Sequence, residues 1–133
     1  MTRKTVPSEY MDLFGKRAFA HLATMMPDGK PQVTPVWVDY DGEYILINSA
    51  QGRQKVRNVK KDPNVSMAIM DPDNVFRYLG IRGKVVEITR SGAPEHIDKL
   101  ARKYTDADGY KGWKPGMVRL ILKIEPIHFY TNG

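Results

Sequence analysis

The sequence predicts a mainly β protein with some α structure: a small antiparallel barrel of six strands with short flanking helices. Three observations carry that prediction. Apolar and polar residues alternate in short runs, as Val118, Leu120, Leu122 and Ile124 do against Arg119, Lys123 and Glu125, which is the period of a half-buried strand. Turn formers separate the runs, among them Pro27-Asp28-Gly29-Lys30 and Asp41-Gly42. No repeat, linker or low-complexity tract interrupts the 133 residues. One domain spanning 1–133 is therefore expected, long enough to bury about two-thirds of its unfolded surface.

Taken in order, Ser8 is the expected N-cap of a short opening helix with Tyr10, Met11 and Phe14 on its apolar side and Gly15 as its stop. Residues 17–26 form a first strand and residues 32–40 a second, in which Pro35 implies a bulge or an edge. The Asp41-Gly42 turn leads to a third strand, residues 43–49, so the first three strands read as a meander. Residues 52–61 follow as a short helix whose Val56 and Val59 make one apolar stripe, and Asp62-Pro63 ends it. Residues 64–70 form a fourth strand and 75–90 a long fifth, whose Gly80 and Gly83 mark a bend or a close backbone approach. Pro94 opens a third helix in which Ile97, Leu100, Ala101 and Tyr104 share a face. After a polar loop holding Trp113, the sixth strand runs to Tyr130. Closing six strands into a barrel removes exposed edges.

Composition excludes several chemistries. There is no cysteine, hence no disulfide, thiolate metal site or cysteine nucleophile. The start lacks the apolar core of a signal peptide and no apolar run approaches ~20 residues, so a cytoplasmic protein without a membrane span is expected. His21, His96 and His128 lie far apart without metal-ligand spacing, and His21 reads as structural. Asp106-Ala107-Asp108-Gly109 lacks the third acid and the closing Glu of a calcium loop. Asp71 and Asp73 read as turn formers rather than an acid/base pair. Neither a nucleophile elbow nor a phosphate-binding glycine motif is present.

Net charge is +6, and Arg53, Lys55, Arg57, Lys60 and Lys61 supply five positive charges with no acid among them. The basic excess is thus one local cluster, next to Ser49, Gln51 and Gly52 where a strand gives way to a helix. Such a cluster suits a small anion such as a phosphate, since helix starts carry unpaired N–H groups, or it is a solvated basic face. Single-stranded nucleic acid would want aromatics between the cations, and there are none, so no nucleic-acid partner is expected. Trp37, Phe76, Tyr78 and Trp113 would suit a flat ring, although aromatics in strands are usually core.

These pieces, in this order, resemble the pyridoxamine-phosphate-oxidase-like FMN-binding split-barrel superfamily, and more closely its flavin/deazaflavin oxidoreductase branch. The matching segments are AHLATMMPDGKPQVTPVWVDYDGEYILINSA, GRQKVRNVKKDPNVSMAIMDPDN, YLGIRGKVVEIT and VRLILKIEPIHFY. The R-x-K-x-R-N-x-x-x-D-P stretch (Arg53, Lys55, Arg57, Asn58, Asp62, Pro63) is the most specific part. The resemblance implies a split β-barrel that forms a homodimer with cofactor sites at the subunit interface. It implies coenzyme F420 as cofactor, with FMN as the alternative, and hydride transfer to a small conjugated substrate, with water able to supply the proton. A non-catalytic carrier of the same cofactor is the other reading. Arg53 and Lys55 match phosphate-holding positions, with Arg57 and Asn58 in the same motif. Ser49 matches a phosphate-side polar contact. Thr34, Pro35 and Val36 match the stretch beside the ring, and Phe76 and Tyr78 match aromatics donated by the second subunit. Trp37 and Trp113 are expected as walls of the substrate pocket.

Overall fold

The computed structural model describes residues 3–133. A 3-10 helix, Ser8–Gly15, precedes strands β1 (Ala20–Met25), β2 (Pro31–Val36), β3 (Asp39–Tyr40) and β4 (Ile45–Ala50). Helix α1 (Gln54–Lys61), β5 (Asn64–Asp71), β6 (Asn74–Thr89), helix α2 (Ala93–Tyr104) and β7 (Arg119–Asn132) complete the order. Ser8 does not cap the first helix: Pro7 precedes it, and the Ser8 hydroxyl donates to the Glu9 carboxylate instead.

The sheet has seven strands, not six, in the order β2-β1-β5-β6-β7-β4-β3, every pair antiparallel, and hydrogen bonding does not close it. The extra strand comes from a break. The segment expected as one strand over 32–40 divides at Trp37 and Val38 into β2 and β3, which lie at opposite edges of the sheet. The expected three-strand meander is therefore two separate hairpins, β1–β2 and β3–β4. Pro35 does lie on an edge strand, where its missing N–H costs no ladder bond.

Two residues can bridge at most about 11 Å between flanking Cα atoms. The sheet must therefore roll until its two edges meet. Helix α2 fastens the seam. Tyr104 Oη donates to the Ala18 carbonyl at 2.6 Å and accepts from the Val38 N–H at 3.2 Å. Lys103 Nζ donates to the carbonyls of Phe14 (2.9 Å) and Val38 (2.8 Å). Burial pushes the Lys103 amine down to about 8 and, with the Asp39 charge, the Tyr104 phenol up to about 12.

The rolled interior holds Leu22, Ile45, Ile47, Met67, Ile69, Leu79, Ile81, Leu122 and Ile124, all fully buried. A second, smaller cluster of Ile97, Leu100 and Tyr104 lies under α2, packed with Trp37 and Tyr110. Of the two glycines of β6, Gly83 meets a neighbouring backbone as the sequence implies, whereas at Gly80 the close neighbour is a side chain. The Tyr130 ring lies where a Cβ on Gly80 would stand, and a Cβ on Gly83 would meet the Glu125 carbonyl at 2.7 Å, beside a register shift between Arg82 and Gly83.

The 3-10 helix is tied to the β5–β6 turn by ion pairs. Lys16 Nζ lies 3.0 Å from carboxylate oxygens of both Asp71 and Asp73, and 3.6 Å from Asp12. Arg77 reaches Asp71 and Asp12, each at 2.8 Å, and lies over the Tyr10 ring. Asp71 also accepts from the Asp73 N–H, as a turn former does. That bond, with those from Arg77 and Lys16, holds its carboxyl down to about 2.

Candidate functional site

A cavity of about 200 Å³ opens beside the seam, lined by Pro35, Val36 and Trp37 from the β2 end, Arg53 and Lys55 from the start of α1, Asn48 of β4, and Arg119 of β7. Phe19, Ile97 and Tyr110 complete its wall. The local sequence makes this arrangement. Gly52 takes a φ of +94°, which turns the chain out of β4 and into α1. Arg53, extended, sits at the N-cap, and no side chain caps the first turn, which also lacks an acid.

The three cations have no carboxylate partner among the described residues. Burial, then the charges of Arg53 and Arg119, push the Lys55 amine below its ordinary value. Burial, with Arg53 beside it, also lowers Arg119, which is only 4% exposed. Arg119 Nε donates to Asn48 Oδ1 at 2.9 Å, Nη1 reaches Tyr110 Oη at 3.4 Å, and the guanidinium lies 4.9 Å from the Tyr110 ring centre. Behind Asn48 the chain of bonds continues. Its amide nitrogen donates to the Ala93 carbonyl at 2.9 Å and lies 3.1 Å from His96 Nδ1, while His96 Nε2 is 3.1 Å from Asp39 Oδ2. Burial opposes ionisation of Asp39, but bonds from His96, Lys99 and the Tyr40 N–H outweigh it and hold the carboxyl below the usual range.

The cavity thus brings together Pro35, Val36, Arg53 and Lys55 of the residues expected from sequence, and Trp37. Other expected residues lie elsewhere. Ser49 pairs with Leu120 and faces the rolled interior, where its hydroxyl is buried without a partner, while its neighbour Asn48 faces the cavity. Thr34 pairs with Leu22 and does not line the cavity. Asn58 is 1% exposed and donates to Thr24 Oγ1 at 2.9 Å, which locks α1 onto β1. Arg57 turns back on its own helix start, donating to the Gly52 carbonyl and Gln54 Oε1. Phe76, 78% exposed, and Tyr78, edge-on to Tyr130, lie outside the cavity. Trp113 packs edge-on against Tyr110, one residue out from the cavity wall.

Arg119, Asn48 and Tyr110 also line the cavity and carry no local sequence signal that marks them. Arg119 alternates with inward apolar residues and so reads as solvent-facing. Its cover comes from the irregular loop just before β7, through Tyr110 and Met117, and its buried partner Asn48 lies 71 residues away. From the cavity the surface continues past Phe19 and Pro35 into a recess of about 300 Å³ that also includes Ala18, His21, Met70 and Val75. The outer face of β1, β2, β5, β6 and the end of β7 is otherwise uncovered, with Val33 60% and Tyr130 41% exposed.

A rolled, open antiparallel sheet whose edges meet at a helix-fastened seam places this chain in the pyridoxamine-phosphate-oxidase-like split-barrel class. More narrowly, residues 6–131 match the family model for pyridoxamine 5'-phosphate oxidase, and the chain belongs to that family. It is similar to a solved F420 reductase, at 38% identity and a TM-score of 0.81, over 94% of this chain and 98% of that one. A conserved hypothetical protein from Mycobacterium tuberculosis shares the fold at 23% identity and a TM-score of 0.73, over 98% of this chain and 86% of the other. So does a putative pyridoxamine 5'-phosphate oxidase from Listeria innocua, at 18% identity and a TM-score of 0.62, over 85% and 86%. No helix among the described residues is long and apolar enough to cross a membrane.

Proposed function

We propose that the protein is an oxidoreductase that binds the deazaflavin coenzyme F420 and transfers a hydride between it and a small conjugated organic substrate. The observation that carries this reading is the cationic cavity. Holding three positive groups together, one of them almost sealed from water, is costly unless a bound anion offsets their repulsion. A cofactor phosphate meets that need, and the apolar recess beyond Phe19 and Pro35 suits a flat ring. The similarity to an F420 reductase supports the choice of deazaflavin.

Arg53 and Lys55 would hold the phosphate, and Pro35, Val36, Trp37 and Phe19 would flank the ring and exclude water. When bound, the cofactor supplies the hydride. With that chemistry supplied, the cavity would need no acid or nucleophile of its own, and water could supply the proton. FMN is the second reading, favoured by the family's description. Titration of F420 and of FMN, followed by visible absorbance and tryptophan fluorescence, separates them. Reduced F420 should then be reoxidised by members of a panel of quinones, enones and tetrapyrroles. Copurified FMN reduced by NAD(P)H would overturn the cofactor choice. Tight F420 binding with no acceptor would make the protein a carrier.

The reading includes a homodimer in which the uncovered outer face, carrying Val33, Met70, Phe76 and Tyr130, is the interface. Phe76 and Tyr78 would then reach the partner's site. Sedimentation at micromolar concentration should show a dimer, and a strict monomer that still binds cofactor tightly would sink the interface.

A further inference from the structure

Arg53 and Lys55 account for a phosphate, yet they leave the buried Arg119 without a role. We infer that Arg119 is the third cation of this anion site, that Asn48 is the residue that positions it, and that the site therefore selects a ligand end bearing at least two negative charges. The inference deepens the cofactor reading above and rests on the same cavity.

Arginine has five N–H donors. In Arg119, Nε is bonded to Asn48, and Nη1 has only a long contact to Tyr110 and one to the Met117 sulfur at 3.7 Å. Nη2 has no protein acceptor, and it is not sealed off, since Ser49 Oγ is the one fully buried side-chain N or O atom without a partner among the described residues. Arg119 lines the cavity, which puts these unpaired donors beside it.

The bonds behind it leave little freedom. Nε can only donate, so Asn48 must present Oδ1 to it. The Asn48 amide nitrogen then faces Ala93 and His96, so His96 Nδ1 must accept and Nε2–H must donate to Asp39. A carboxylate is thus present nearby, but a neutral amide and an imidazole stand between it and the guanidinium. Arg119 is held in place without being neutralised. A purely structural arginine would more simply be paired with the acid.

The test uses the whole protein and inorganic pyrophosphate, read by calorimetry at low ionic strength, with nitrate as the singly charged control. The wild type should prefer pyrophosphate by about tenfold or more. Asn48→Asp places a carboxylate on Arg119. It should weaken pyrophosphate about tenfold, while Asn48→Leu, which leaves Arg119 without a neutralising carboxylate, should bind better than Asn48→Asp; both should melt lower, since each loses the amide bonds to the Ala93 carbonyl and His96. If Asn48→Asp does not fold, Arg119→Gln should show the same loss of affinity and of preference over nitrate. Unchanged pyrophosphate affinity in folded Asn48→Asp or Arg119→Gln would overturn the inference, as would a wild type without preference for pyrophosphate over nitrate. Pyrophosphate binding as expected, with neither F420 nor FMN bound, would sink the cofactor reading and leave this one standing.

Discussion

Two clusters of charge in this molecule are built on opposite plans. At the β5–β6 turn, Lys16 and Arg77 meet Asp12, Asp71 and Asp73, so each cation has an acid in contact. Beside the seam, Arg53, Lys55 and Arg119 meet none. The first cluster is complete within the chain and fastens the 3-10 helix to the hairpin. The second is incomplete, and its repulsion is relieved only from outside. Charge left uncompensated in a concave place separates a binding site from a brace more surely than charge itself does.

The widest gap between the two plans should appear on removing single cations. Arg53→Ala and Lys55→Ala should each weaken cofactor binding by about 1.5–3 kcal/mol, roughly 10- to 150-fold. The melting temperature of the free protein should hold or rise, because a repulsion is lost. Fluorescence titration and thermal melts on the same preparations check both signs. A fall in stability with no loss of affinity would make the cavity a brace like the other cluster.

Arg77→Ala should do the reverse, lowering the melting temperature while leaving cofactor affinity within about twofold. Acid should reach the same cluster. The Asp71 carboxyl, held down to about 2 from an ordinary 3.8, contributes stability that is complete above 3.8 and lost as pH falls toward 2. Melting curves of Asp71→Asn should therefore be flatter than wild type across that window.

Lys103 falls between the two plans, since carbonyls hold it rather than a carboxylate. Its amine is pushed down to about 8 from 10.5, so between those values the unfolded chain binds the extra proton. Stability from this residue should thus rise with pH across that interval, and Lys103→Met should abolish the rise. The smallest effect is expected at Lys61, exposed at the far end of α1, where Lys61→Ala should change affinity by less than about twofold.

The sequence made much of this legible where the signal is local. Turn residues located the β1–β2, β3–β4 and β5–β6 hairpins, Pro35 narrowed its strand to a bulge or an edge, Gly83 located a close backbone approach, and the cation run located the mouth of the cavity. What it hid depends on covering by distant elements. The break at Trp37 and Val38 leaves a run that still reads as strand, and Val38 finds its partners in Lys103 and Tyr104, 65 and 66 residues on. Ser49 and Asn48 are adjacent, and which of them faces the cavity depends on register against β7. Arg57 and Asn58 carry the motif's spacing, yet one folds back on its helix and the other faces β1. The paired cluster is hidden because, although Asp12–Lys16 and Asp71–Arg77 are near neighbours, the bonds that join the two segments span about 55 to 65 residues.

The place of β7 in the strand order governs how the chain can be made. Made last of the seven strands, it lies between β6 and β4 and is bonded to both. While synthesis is under way, a four-strand piece, β2-β1-β5-β6, and a short β3–β4 hairpin can exist, each with an unpaired edge where β7 belongs. Contacts of that sequence separation form slowly. A nascent chain therefore exposes two sticky edges until β7 emerges, and the cationic cavity, which takes Arg119 from β7, is not complete before then.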